Sequence, residues 1–217
     1  MNIFKSFFAG LVIAIAAPVL DAPIINFDDL NYSDQAIPGY PSSYSGLYWA
    51  NVYVYNATDN PENLTSGYQY SVYSAKNVAF NGGGSPITIS SNTPFTLNSA
   101  WLTSVWRDGL NVKVIGSLLG TQVYIDNFTP SATAKTLETF TALPVDSVEF
   151  IPSGGTFHTG YGSNDYGTYF AIDDLNVDLV QLVAVPEPGT WVAAALLLAA
   201  IAFGQRDRLS RAKPIGR

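Results

Sequence analysis

The sequence predicts an all-β fold: an antiparallel two-sheet β-sandwich, jelly-roll-like, with an N-terminal signal peptide and a C-terminal single transmembrane helix. Two observations predict the sandwich. Between residues 17 and 184, short runs rich in Val, Ile, Thr, Tyr and Phe alternate with Gly, Pro, Asn and Ser clusters. The runs recur at roughly ten-residue spacing, without helical periodicity, which is the pattern of stacked antiparallel sheets. A third observation, an echo between the first and last strands, favours the jelly roll, because such domains pair those two strands. No internal repeat suggests a propeller or solenoid.

The chain opens with one positive residue, Lys5, then an apolar stretch from Phe7 to Ala17. Ala14-Ile15-Ala16 supplies a small-residue cleavage pattern, so residues 1–16 read as a signal peptide and 17–184 as the exported domain. Ile24 to Phe27 is the first expected strand. Gly46 to Tyr55 is the longest alternating run, with Leu47, Trp49, Tyr53 and Tyr55 on one face and Tyr48, Ala50, Val52 and Val54 on the other. Both faces are apolar enough to be covered, one of them by a folded-over loop. Tyr68 to Phe80 reads as one or two strands, followed by a flexible turn at Asn81 to Ser85. Further strands are expected at Ile87–Ser90, Phe95–Trp106, Val112–Ile115, Val123–Ile125, Leu137–Phe140, Val148–Ile151 and Tyr169–Leu182, with a hairpin around Gly116 to Gly120.

Composition bounds the function. There is no Cys, so neither a disulfide framework nor thiol chemistry is available. Between the two terminal segments lie 15 acids against four bases (Lys76, Arg107, Lys113 and Lys135), a net charge of −11. A domain so acidic repels nucleic acid and anionic headgroups; cations or neutral sugars suit it better. His158 is the sole histidine, and neither a nucleophile elbow nor a phosphate-binding loop is present. The reading is therefore not an enzyme.

Ile25-Asn26-Phe27-Asp28-Asp29-Leu30 near the start is echoed by Phe170-Ala171-Ile172-Asp173-Asp174-Leu175 near the end. In each, the inward alternation slips by one residue at the acid pair, as a β-bulge would make it do. Were the two strands neighbours, four carboxylates would converge, tolerable only with a cation or many N–H donors. Asp28, Asp29, Asp173 and Asp174 are thus candidate ligands for a structural Ca2+ ion. This arrangement resembles extracellular MAM-type and carbohydrate-binding jelly-roll modules, in which acids at these two ends share a cation; the resemblance implies Asp28 and Asp174 foremost.

Residues 185–217 form the last unit. Val185-Pro186-Glu187-Pro188 breaks any helix, Trp191 to Phe203 is apolar for 13 residues, and Arg206, Arg208, Arg211, Lys213 and Arg217 follow. With its uncharged flanks the apolar helix, about 190–205, reaches about 27 Å at ~1.5 Å per residue, enough to span with snorkelling basic ends. In this order the parts resemble the PEP-CTERM sorting signal of exported bacterial proteins. That resemblance implies cutting near the Pro-Glu-Pro by an exosortase-type membrane protease, then release to, or fixation at, the cell surface.

The loop from Ser153 to Tyr169 carries Tyr161, Asn164, Asp165 and Tyr166, aromatic and polar groups that suit a neutral sugar at one rim of the sandwich. The sequence thus points to an exported surface or matrix protein with a structural or adhesive role in extracellular polysaccharide or biofilm. A carbohydrate-binding module with a defined ligand is the first alternative, and a glycan hydrolase the second.

Overall fold

Alternating apolar residues need an opposing layer, and in this chain a single long strand provides both. The computed structural model describes residues 23–31, 35–37, 42–59, 65–162, 167–179, 195–199 and 201. Contacts divide the chain into two units, Met1–Val180 and Gln181–Arg217. In the first unit lie strands β1 (Ile24–Ile25), β2 (Gln35–Ala36), β3 (Tyr48–Ala50), β4 (Val52–Asn56), β5 (Asn77–Asn81), β6 (Ile87–Ser104), β7 (Arg107–Leu118), β8 (Thr121–Phe128), β9 (Thr136–Thr139), β10 (Val145–Phe157) and β11 (Phe170–Leu179), with one short helix, α1 (Tyr68–Ser71).

Strand β6 belongs to two layers. Its first part, Ile87 to Ser90, pairs with β3 and β10, and β10 continues through β7 to β8. Its second part, Phe95 to Ser104, pairs with β11 and β9. Strand β11 continues through β5 and β4 to β2, and all these pairings are antiparallel. The first strand does pair with the last, Ile24 opposite Asn176 and Ile25 opposite Leu175. One core unites the layers: Ile87, Val114 and Phe150 from one half meet Leu97, Leu102 and Ile172 from the other, each fully buried.

A second apolar cluster lies outside the main core. Tyr55, Val78, Phe80 and Ala171 point away from it and are covered by Tyr68 of α1 and by Val105. This is the covered second face the sequence called for, but the faces differ from the simple alternation. Leu47 and Trp49 are in the main core with Val52 and Val54, while Tyr53 and Tyr55 face the other way. The cause is Asn51, whose φ of 60° inserts a left-handed residue and shifts the phase by one. The segment expected to be strand from Tyr68 divides into α1 and β5, and the triple-glycine turn is a short 3-10 turn, Gly82–Gly84.

The one-residue slip at the last acid pair is present as a bulge. Asp173 opposes Trp101 and Asn176 opposes Ser99, so three steps on β11 match two on β6, with Asp174 at a φ of 46°. At the first acid pair the chain instead turns: Leu30 N–H donates to the Phe27 carbonyl at 3.2 Å, and Phe27 has a φ of 63°.

In the second unit, residues 195–199 are helical, with Leu196, Leu197 and Leu198 exposed. Among the described residues no helix is long and apolar enough to cross a membrane. The leader 1–16 and the sorting motif Val185, Pro186, Glu187 and Pro188 lie outside the described residues.

One glycine is required by packing rather than by backbone angle. A Cβ on Gly116 would come within 2.1 Å of the Tyr124 ring, which lies flat over this glycine of the neighbouring strand. Gly116→Ala must push that ring outward, and overpacking of this kind costs about 1–3 kcal/mol. Chemical denaturation should show a loss in that range; an unchanged midpoint would mean that the ring moves freely.

Candidate functional site

Each acid of the two end pairs has a defined place. Asp173 is fully buried on β11, on the side away from the main core, beneath the segment that links α1 to β5. Its Oδ2 accepts the backbone N–H groups of Tyr73 at 2.6 Å and Ser74 at 2.9 Å. Its Oδ1 accepts the Ser74 hydroxyl at 3.2 Å and the Asp174 N–H at 2.8 Å. Asp28 Oδ1 takes the N–H groups of Lys76 and Asn77, both at 3.0 Å. The Asn77 side chain then donates to the Phe27 and Leu30 carbonyls. Asp29 accepts the Tyr44 hydroxyl at 2.6 Å, and this bond adds to burial in raising the Tyr44 pKa.

Among the described residues, N–H donors meet the carboxylates of Asp28 and Asp173. Asp28 and Asp173 converge on the same five-residue stretch, Tyr73 to Asn77, and its amides occupy their lone pairs. Asp174 Oδ1 is buried and finds no hydrogen-bond partner among the described residues. No group of three or more His, Cys, Asp or Glu side chains there is gathered closely enough to hold a metal ion. Asp28 and Asp173 together clamp this loop, while Asp29 holds the Tyr44 hydroxyl.

The clamped loop displays an aromatic. Trp101 sits on β6 between Ala100 and Leu102, both in the core, so its own side chain faces outward. Tyr73 lies flat on it, ring centroids 4.4 Å apart and planes 15° from parallel. Tyr73 remains 54% exposed, enough to offer a ring to a ligand. Leu137, directly across from Trp101 on β9, extends the apolar strip. Lys135 Nζ lies over the Tyr73 ring, 6.0 Å from its centroid, and donates to the Val72 carbonyl at 3.0 Å, so its ammonium is fixed there. Sequence reasoning missed Tyr73, Trp101 and Lys135 as a unit. The only sequence signal was the abundance of Tyr and Trp.

The rim expected around Tyr161 differs from expectation. Tyr161 is 7% exposed, its hydroxyl donates to the Ala132 carbonyl at 2.6 Å, and its ring packs 4.2 Å from that of His158. The ring is thus enclosed between His158 and the Ala132 carbonyl. Asn164, Asp165 and Tyr166 lie outside the described residues. His158 Nδ1 meets both carboxylate oxygens of Asp108, at 2.8 and 2.9 Å, an ion pair when the ring is protonated.

Burial raises the Asp173 pKa from 3.8 to about 6 although three N–H donors pull it down. The folded state therefore binds the proton more tightly than the unfolded chain. The sign follows: Asp173 favours the fold most below pH 3.8, and that contribution is lost as pH rises to about 6, by roughly 3 kcal/mol at ~1.4 kcal/mol per unit. Asp173→Asn can keep both amide bonds through one carbonyl oxygen without titrating. Its melting temperature should lose this downward component between pH 4 and 6.5; an unchanged pH slope would place the titrating group elsewhere.

Comparisons with known proteins add neighbours rather than a family. No protein-family model matches the chain, and no curated protein matches it. Among solved structures, it is similar to a family 61 carbohydrate-binding module in complex with β-1,4-galactotriose: TM-score 0.37, 10% identity, covering 67% of this chain and 97% of that one. A family 32 module of a family 31 glycoside hydrolase, bound to GalNAc, gives a TM-score of 0.35 at 13% identity, covering 63% and 99%. A Ruminococcus gnavus family 29 fucosidase in complex with fucose gives 0.32 at 12% identity, covering 64% of this chain but 26% of the enzyme. At such scores these likenesses carry no argument about what this chain binds.

Proposed function

We propose that this protein is an exported, non-catalytic carbohydrate-binding protein of the cell surface or extracellular matrix, and that Tyr73 and Trp101 form its sugar platform. The leader 1–16 would deliver it. The segment 185–217 would hold it at the membrane until an exosortase-type protease acts near Pro186-Glu187-Pro188. In this reading the adhesive role in extracellular polysaccharide follows from sugar binding rather than standing apart from it.

The observation that carries the reading is the exposed Tyr73 ring, backed by Trp101 and fixed at its own backbone N–H by Asp173. A pyranose presents C–H groups on one face, and these sit favourably on the negative face of an aromatic ring. A ring already immobilised loses little freedom on binding, which is where preorganised sites gain affinity. Lys135, with its ammonium 6.0 Å over the ring, supplies a donor for a hydroxyl or ring oxygen. The domain's net charge of −11 favours neutral sugars over polyanions.

Glycan-array binding of the full chain in mild detergent tests this directly. Binding to neutral glycans is expected, and Tyr73→Ala should weaken it at least tenfold, about 1.4 kcal/mol. Because Tyr73 is half exposed, that variant should keep its fold, verified by an unchanged circular dichroism spectrum. Equal binding by wild type and Tyr73→Ala would remove the platform from the account, and loss on Tyr166→Ala instead would move the site to the β10–β11 loop.

A further inference from the structure

Sandwiches end in edges, and the five edge strands among the described residues are unequal. Four are short: β1 and β2 have two residues each, β3 three and β9 four. Strand β8 has eight, Thr121 to Phe128, and pairs only with β7. Natural proteins protect exposed edges by shortening them or by placing Lys, Pro or inward charges on them. Strand β8 contains no Lys, Arg, Pro or Gly. Its single charge, Asp126, is already occupied by the Thr141 N–H and hydroxyl, both at 2.7 Å. On its outer face Val123 and Ile125 are exposed by 38% and 46%, more than bare aliphatics on a charged domain require. Tyr124, between them, folds over Gly116 and away from the open edge.

From this we infer that β8 pairs antiparallel with β8 of a second copy of the same chain, forming a two-fold dimer through a continuous sheet. The residue pattern selects both the occupant and the register. With Tyr124 on the two-fold axis, Val123 lies opposite the partner's Ile125, and Gln122 lies opposite the partner's Asp126. Apolar then meets apolar on the outer face, and on the inner face each Asp126 lies across from a neutral Gln122 rather than a second acid. A register centred on Asp126 would oppose two carboxylates, which cross-strand pairing disfavours. An isologous contact of this kind closes at two copies, because each edge is consumed by the other. It is independent of the sugar platform, which stands on a different strand set.

Sedimentation of the full chain in mild detergent over a range of concentrations tests the inference. The wild type should show a monomer–dimer equilibrium, and Ile125→Lys, at an exposed position, should weaken it at least tenfold while leaving the spectrum unchanged. The absence of Cys allows a register test: Val123→Cys mixed with Ile125→Cys should form a disulfide-linked dimer faster than either variant alone. A wild type that remains monomeric throughout would overturn the inference. So would a dimer indifferent to Ile125→Lys, since association would then run through another part, such as the C-terminal helix.

Discussion

The buried carboxylate of Asp173 is the constraint on which the rest of this molecule depends. It lies on the outer side of a sheet that already has a complete core on its inner side. A carboxylate in such a place must be fully hydrogen-bonded, and three of its four donors come from the loop after α1: the Tyr73 and Ser74 amides and the Ser74 hydroxyl. Satisfying the acid therefore fixes the loop. The loop in turn fixes Tyr73 over Trp101 and leads into β5, whose outward side chains join Tyr68 of α1 in the second apolar cluster.

Asp28 repeats the device from the other end of the chain and holds the same loop one turn further along. The two acid pairs are thus joined by a shared partner. A loop held at Tyr73, Ser74, Lys76 and Asn77 behaves as part of the sheet, although it has almost no strand character of its own. Entry and exit of the domain are neighbours as well: the Val177 N–H donates to the Pro23 carbonyl.

Strand positions were legible in the sequence because alternation and turn residues are local properties. Pairing of the first strand with the last, and the bulge at Asp173-Asp174, were legible because a one-residue slip leaves its mark on the apolar pattern. The phase change at Asn51 was not, since a left-handed Asn carries no glycine to announce it. Helix α1 was hidden because Tyr-Gln-Tyr-Ser has strand-like composition, and tertiary burial of Tyr68 overrides that preference. The site was the least legible part. Tyr73 is displayed because an acid 100 residues away grips its amide, and Tyr161 is enclosed because a carbonyl 29 residues upstream takes its hydroxyl. No spacing rule encodes contacts of that range.

Amide hydrogen exchange at Tyr73 and Ser74 tests the clamp most directly. In the wild type both amides should exchange far more slowly than that of the adjacent Ala75, despite lying in an exposed loop. Asp173→Ala should abolish that protection while leaving the strand amides of β7 and β10 slow. Fast exchange at both positions in the wild type, or protection that survives Asp173→Ala, would contradict the account.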